Sequence, residues 1–337
     1  MLLPIIVTAA VAVAVTFLLG LALIPWLRKL KFGQTILDIG PIWHKKDKQG
    51  TPTMGGMMFI IGTVAAAAAG IFLLAFNGEI SIDSLGQKDT FGLIAAIAAA
   101  FFFGFIGFLD DFIKVKKKQN EGLTPMQKIV LQVLVIAAYF TARILSGDTN
   151  TAIRFPFIGS LDLWYFYYVI MGLGILYIVN AVNLTDGIDG LCGSVTFVYC
   201  IVFAVISAML GFSGYTILSV AAAGGCLGFL IWNWHPAKVF MGDTGSMFLG
   251  GIVATLGMGM HVEVLMVIAA AVYLWEALTV LIQMGYFKIT HGKRLFKMTP
   301  IHHSFEMRGW KEEKIVIVFS LIGAACGIVS ILLINGI

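Results

Sequence analysis

An all-α, polytopic integral membrane protein with about ten transmembrane helices is the fold class this sequence predicts. Three observations lead there. Of 337 residues, 59% are hydrophobic and only 12% charged, whereas a soluble globular domain carries about 25% charged residues. Apolar runs of about 20 residues, enough to cross a bilayer core, recur along the whole chain. Lysine and arginine gather in alternate connections between those runs, the signature of a chain threaded through a membrane.

The runs fall at 3–26, 57–76, 91–109, 129–146, 163–182, 191–211, 214–231, 246–262, 264–284 and 315–335. The first lacks a basic start and a small-residue cleavage pattern, and it is too long for a signal-peptide core, so it reads as a retained span. The run at 246–262 is short and glycine-bearing. Alanine-rich stretches favour close helix contact. The longest connection, 285–314, is too small for a core of its own, so residues 1–337 are expected to form one transmembrane catalytic domain. Of the outer connections, 77–90 carries Glu79, Asp83 and Asp89. Connection 147–162 alternates polar and apolar positions around Pro156 and Gly159, which suits a small hairpin. Cys192, Cys200, Cys226 and Cys326 all lie in apolar runs with no metal-ligand spacing, and read as small apolar fillers.

Orientation follows from the basic residues. The odd-numbered connections and adjoining span ends hold Arg28, Lys29, Lys31, Lys45, Lys46, Lys48, Lys114, Lys116, Lys117, Lys118, Lys128, Lys238, Lys288, Lys293, Arg294, Lys297, Arg308, Lys311 and Lys314. The other side holds only Lys88 and Arg154, with Arg143 near an outer span end. Both termini are therefore expected outside, and the odd connections in the cytoplasm.

Chemistry-bearing residues concentrate in those odd connections. Asp110-Asp111 with Lys114 follows the third run; adjacent carboxylates repel and call for a cation or proton. An i,i+4 ion pair from Asp110 to Lys114 is the plain alternative. Asn183-Leu184-Thr185-Asp186-Gly187-Ile188-Asp189-Gly190 spaces polar groups every third position among glycines, without the ligand spacing of a calcium loop. Asn233, His235, Phe240 and Gly242-Asp243-Thr244-Gly245-Ser246 open a helix whose free amides suit an anion, with Asp243 a candidate for a divalent cation. An N-cap role for Asp243 or Thr244 is the simpler reading. The ninth connection adds Pro300-Ile301-His302-His303, and Glu276 within the ninth run is a buried acid whose role stays open. Carboxylates for a metal and cations for phosphates make up the inventory of phosphoryl transfer.

Those motifs, with Lys48-Gln49-Gly50-Thr51-Pro52-Thr53-Met54-Gly55-Gly56, make the chain resemble the phospho-N-acetylmuramoyl-pentapeptide transferases. These belong to the polyprenyl-phosphate N-acetylhexosamine-1-phosphate transferase superfamily, glycosyltransferase family 4, and the resemblance covers essentially the whole chain. One departure stands out: the family often has three consecutive histidines, and here the third position is Ser304. The resemblance implies transfer of phospho-N-acetylmuramoyl-pentapeptide from its UDP derivative to undecaprenyl phosphate, releasing UMP. It also implies Mg2+, a bacterial cell membrane with a cytoplasmic active site, a homodimer, and a broken ninth helix. Residue by residue it implies catalytic roles for Asp110, Asp111, Asp243, Lys114 and Lys128, with Asp243 on the metal. Substrate contacts are implied for Lys48, Thr53, Asn183, Leu184, Asp186, Gly187, Asp189, Asn233, Phe240, Gln283, His302 and His303. No nucleic-acid partner is expected. No GxxxxGK[ST] sequence occurs, in keeping with a reaction that exchanges one phosphoanhydride for another. The rivals are a sibling transferring N-acetylglucosamine phosphate and, from another class, a secondary transporter. The latter would place its acids near the bilayer midplane between repeats.

Overall fold

The computed structural model describes residues 1–29, 48, 50–77, 87–117 and 121–337, with side chains from Thr90 in the third stretch. Lys31, Lys45, Lys46, Gln49, Lys118, Glu79 and Asp83, and the side chains of Lys88 and Asp89, lie outside the described residues.

Each apolar run of the sequence falls on a helix. In chain order these are α1 (Leu2–Lys29), α2 (Gly56–Phe76), α3 (Gln87–Lys117), α4 (Pro125–Leu145), α5 (Phe166–Thr185), α6 (Leu191–Met209), α7 (Ser213–Asn233) and α8 (Gly242–Gly259). Then come α9 (Glu263–Ala269), α10 (Ala271–Ile289), the short α11 (Ile301–Glu306) and α12 (Glu312–Leu332). Among the described residues, 8 helices are long and apolar enough to cross a membrane, or 9 if α9 and α10 count as one span. The 18-residue α8, which opens on Gly-Asp-Thr-Gly-Ser, is not among them. The expected hairpin is present, with β1 (Ala152–Phe155) antiparallel to β2 (Gly159–Asp162) and Ile153 opposite Leu161.

The helices differ in how much of themselves they bury. In α1 only one stripe is buried: Pro4, Thr8, Ala12, Thr16, Gly20 and Ile24, each four residues after the last, and then Leu27. That spacing is one face of a helix, and it packs on α2 and α7 while Leu18, Leu21 and Trp26 face outward. In contrast, α8 is buried from Thr244 to Met258 and packs mainly against α3 and α5. It is therefore the axis of the bundle, and its N-terminus lies where the ends of α3 and α5 meet. α4 starts cleanly: Thr124 accepts from the Gln127 amide, Gln127 returns the bond to the Thr124 amide, and Pro125 takes the first helical position.

The ninth run is broken as expected, by 72° between α9 and α10. No Pro or Gly marks the break, so packing sets it rather than a breaker residue. The Tyr273 hydroxyl lies 2.8 Å from Thr196 Oγ1, and the Tyr177 hydroxyl donates to Leu274 O at 2.9 Å, fixing the first turn of α10. Beyond that turn the helix departs from the bundle, leaving Leu281, Met284, Phe287 and Ile289 exposed as a lipid-facing surface.

At the end of the bundle away from the acidic motifs, Arg143 of α4 pairs with Asp148 and lies 2.8 Å from His261 Nε2. His261 in turn stands 3.0 Å from Asp148 and 3.7 Å from Glu263, which accepts the Tyr167 hydroxyl at 2.6 Å. This buried polar knot ties the end of α4 to α5 and to the turn from α8 into α9.

Candidate active site

The acidic motifs meet at the N-terminus of α8. Asp110 and Asp111 end the apolar part of α3 and are buried. The Asp111 carboxylate reaches the start of α8: Oδ1 accepts the Asp243 amide at 3.2 Å. Oδ2 accepts the Thr244 amide at 2.9 Å and the Thr244 hydroxyl at 2.7 Å. This corrects the expectation that these amides await a substrate anion, and equally that Asp243 or Thr244 caps its own helix. The anion at this helix end is Asp111, because the close α3–α8 packing brings its carboxylate to the positive end of the dipole. Gly242 is required there. Its φ is 70°, and a Cβ would stand 2.5 Å from Asp111 Oδ2 and 2.7 Å from Thr53 Oγ1. Thr53 is thereby located beside the start of α8.

Asp243 projects from this capped end into a cationic grip. Its Oδ2 lies 2.6 Å from Lys128 Nζ and 3.1 Å from Lys114 Nζ, and its Oδ1 accepts from Asn183 Nδ2 at 3.0 Å. Asn183 also donates to Ser246 Oγ at 2.8 Å. The plain i,i+4 pair is present too, Lys114 to Asp110 at 2.6 Å, with Lys128 3.2 Å from the same oxygen. Carboxylate oxygens of Asp110, Asp111 and Asp243 all lie within 4.8 Å of one another. Three carboxylates that close form an all-oxygen donor set that fits a hard cation, and such a cation would displace the Lys114 and Lys128 ammonium groups that now lie against Asp243.

A second group continues from it. Lys48 Nζ is 2.7 Å from both Asp189 Oδ1 and Glu312 Oε2, and Glu312 also accepts the Asp189 amide at 2.9 Å. Asp189 Oδ2 accepts the Ala237 amide at 2.9 Å and lies 3.1 Å from His235 Nδ1. Asn233 accepts the Gly190 amide at 3.0 Å and donates to Val239 O at 2.9 Å, fastening the end of α7 to the Asn183–Gly190 stretch. Phe240 is half-buried, its backbone paired with Pro52 O and the Gly55 amide, and Leu184 is half-buried in the last turn of α5. Asp186 lies between the two groups. Burial, with the charges of Asp243, Asp111 and Asp189 nearby, pushes its carboxyl up to about 8, so it carries a proton at neutral pH unless a cation arrives.

Sequence reasoning missed Glu312. It sits in an Asp/Glu-rich first turn of α12 that looks like ordinary helix-dipole compensation, and its partners are 123 and 264 positions away. Gln283 stands apart from the cluster: its side chain accepts the Leu295 and Phe296 amides, both at 3.0 Å, and donates to Phe296 O. Its amide thus organises the ninth connection. Ser304 has a comparable task, donating to Met298 O at 2.6 Å and accepting the Met298 amide at 3.1 Å. The departure from a third histidine is a loop clasp. His302 is fully buried beside Glu276, while His303 is partly exposed.

Residues 93–261, which supply Asp110, Asp111, Asn183, Asp189 and Asp243, match the family described as Glycosyl transferase family 4, the class this fold and site define. Among curated proteins, the chain is 42% identical to a phospho-N-acetylmuramoyl-pentapeptide-transferase of Heliobacterium modesticaldum, over 94% of this chain and 95% of that one. It is 42% identical to one of Clostridioides difficile and 41% to one of Listeria monocytogenes, each over 96% of both chains. The chain belongs to the phospho-N-acetylmuramoyl-pentapeptide-transferase family.

Proposed function

We propose that this protein transfers phospho-N-acetylmuramoyl-pentapeptide from its UDP derivative to undecaprenyl phosphate, giving UMP and the first lipid intermediate of peptidoglycan synthesis. The observation that carries the reading is Asp243, gripped by Lys114, Lys128 and Asn183 from three helices beside two further buried carboxylates. Two phosphates need such a balance of acid and cation, and a lipid substrate needs it at a helix end within a bilayer. We assign the site to the cytoplasmic leaflet of a bacterial cell membrane, and the working unit to a homodimer.

The reaction balances without an energy source. An oxygen of the lipid phosphate bonds to the sugar-linked phosphorus, and the bond from that phosphorus to the bridging oxygen breaks, its electrons leaving with UMP. A phosphate monoester has its second pKa near 6 (about 6), so the attacking group is already mostly dianionic at neutral pH. Lys114 and Lys128 offset the charge gathered when two phosphates meet, and Asp110 holds those lysines in place. Lys48, Asp189, Asn233 and Phe240 take the nucleotide, with Phe240 stacking on uracil, a contact of about 1–3 kcal/mol by analogy with base–aromatic stacking. Thr53, Leu184, Asp186 and Gly187 line the path between nucleotide and acids. Asp243, with Asp110 and Asp111 beside it, is the residue to hold Mg2+. When bound, the ion neutralises diphosphate oxygens and improves UMP as a leaving group.

Purified protein in nanodiscs, given Mg2+, polyprenyl phosphate and UDP-N-acetylmuramoyl-pentapeptide, is expected to release UMP. Release should stop with EDTA and in Asp243→Ala. Turnover of UDP-N-acetylglucosamine in place of the muramoyl substrate would transfer the assignment to the sibling activity, and activity surviving Asp243→Ala would remove the metal assignment.

A further inference from the structure

The two histidines of α11 stand side by side with ring centres 4.1 Å apart, and each turns Nδ1 toward a carboxylate. His302 Nδ1 is 3.1 Å from Glu276 Oε2, which reaches it from α10, and His303 Nδ1 is 2.6 Å from Glu306 Oε2. The opposite edges of both rings converge. A side chain at Gly187 would collide with His302 Nε2 and come within 3.2 Å of His303 Nε2. Gly187 follows Asp186 in the stretch that joins the Asp243 grip to the Lys48 group.

His302 and Glu276 are both fully enclosed, 0% exposed. Yet His302 Nε2 and Glu276 Oε1 have no hydrogen-bond partner, and Nδ1 faces its carboxylate off the hydrogen-bond line. A buried polar atom without a partner costs free energy that folding alone does not recover. Because Gly187 has no Cβ, its backbone comes close to the Nε2 edges of both rings, and His302 Nε2 is left at that contact as a buried ring nitrogen without a partner. The carboxylate behind the ring decides which nitrogen carries the proton, as an acidic partner does for catalytic histidines generally.

Resting on the reading of the site given above, we propose that Glu276 and Glu306 are positioning residues. They hold His302 and His303 by Nδ1, so that both Nε2 atoms face one point beside Gly187, where an anionic oxygen of the phosphoryl-sugar portion of the substrate sits. Glu276, whose role the sequence left open, acts only through His302, and the break between α9 and α10 is what swings it under that ring.

The test reads the tautomer directly and needs no substrate. Wild-type protein labelled with 15N-histidine in nanodiscs has only six histidines, and His302→Gln assigns the signal. At alkaline pH, neutral His302 is expected to carry its proton on Nδ1; a proton on Nε2 overturns the proposal without any charge-changing variant. In Glu276→Gln, whose amide can also donate to Nδ1, the Nδ1–H form is expected to give way to a mixture. Glu276→Asp should retain it. With UMP release as readout, Glu276→Gln should lower kcat about tenfold or more while KM for the UDP substrate moves little, and Glu276→Asp should recover part of the loss. An unchanged tautomer in Glu276→Gln, or equal loss of activity in both variants, overturns it. Wild-type protein that released no UMP would instead count against the function proposed above, leaving the tautomer result to stand by itself.

Discussion

Asp110 uses both of its oxygens. Oδ1 accepts the Leu123 amide at 2.7 Å, seating the turn before α4, and Oδ2 lies between Lys114 and Lys128. A substrate phosphate already ionised at neutral pH has little need of a base. Asp110→Asn keeps an oxygen for the Leu123 amide but loses the charge that holds the lysines. Turnover of this variant is therefore expected to fall by the same factor, on the order of 10², at pH 6 and at pH 8. A variant close to wild type at pH 8 and crippled at pH 6 would restore Asp110 as the base. The sequence set Asp110 apart from Asp111 only by its i,i+4 spacing to Lys114. The structure separates them, because residues adjacent on a helix point about 100° apart, one toward the lysines and the other toward the amides of α8.

At the scale of elements, the motifs were legible because each sits at a helix end, where polar residues interrupt a long apolar run. The break between α9 and α10 was legible only through resemblance, since tertiary contacts of Tyr273 and Tyr177 make it. The knot of Arg143, Asp148, His261 and Glu263 was not legible, because His261 lies 118 positions from Arg143 and no local spacing marks either. Burial alone would raise Asp148, but the His261 hydrogen bond and the Arg143 charge outweigh it and hold the carboxyl well below its ordinary range. Burial alone would lower His261, but contacts with Asp148 and Glu263 outweigh it and raise the imidazole. The Asp148 contribution is thus present above its ordinary value and lost only in strong acid. The His261 contribution is complete below about pH 6.5 and disappears as pH climbs through its raised value. Thermal midpoints measured in nanodiscs should accordingly drop by a few degrees from pH 6 to pH 9 in wild type, with a flatter profile in His261→Gln. Parallel profiles would show that the imidazole carries no charge in the folded protein.

For the whole molecule, the alternation of helices brings the C-terminal ends of α3, α5 and α7 to the same side as the N-terminal ends of α4, α6, α8 and α12. Long-range convergence therefore follows from counting spans, even though the pairings themselves do not. The same alternation sends the hairpin and the Arg143 knot to the other side. Described basic residues follow it: Arg28, Lys29, Lys114, Lys116, Lys117 and Lys288 occupy helix ends on the acidic-site side, against Arg143 and Arg154 opposite. By the positive-inside rule this bias supports the cytoplasmic placement proposed above, where a nucleotide substrate is available. Of the native cysteines, Cys192, Cys200 and Cys226 are buried and Cys326 is half-buried, so replacing Cys326 by alanine leaves a quiet background for labelling. In that background a membrane-impermeant maleimide should label Ser160→Cys, on the exposed hairpin, in intact cells, and Lys293→Cys only after permeabilisation. The reverse pattern would put the carboxylates on the outer surface, away from any UDP-linked sugar, and the proposed reaction would lose its substrate.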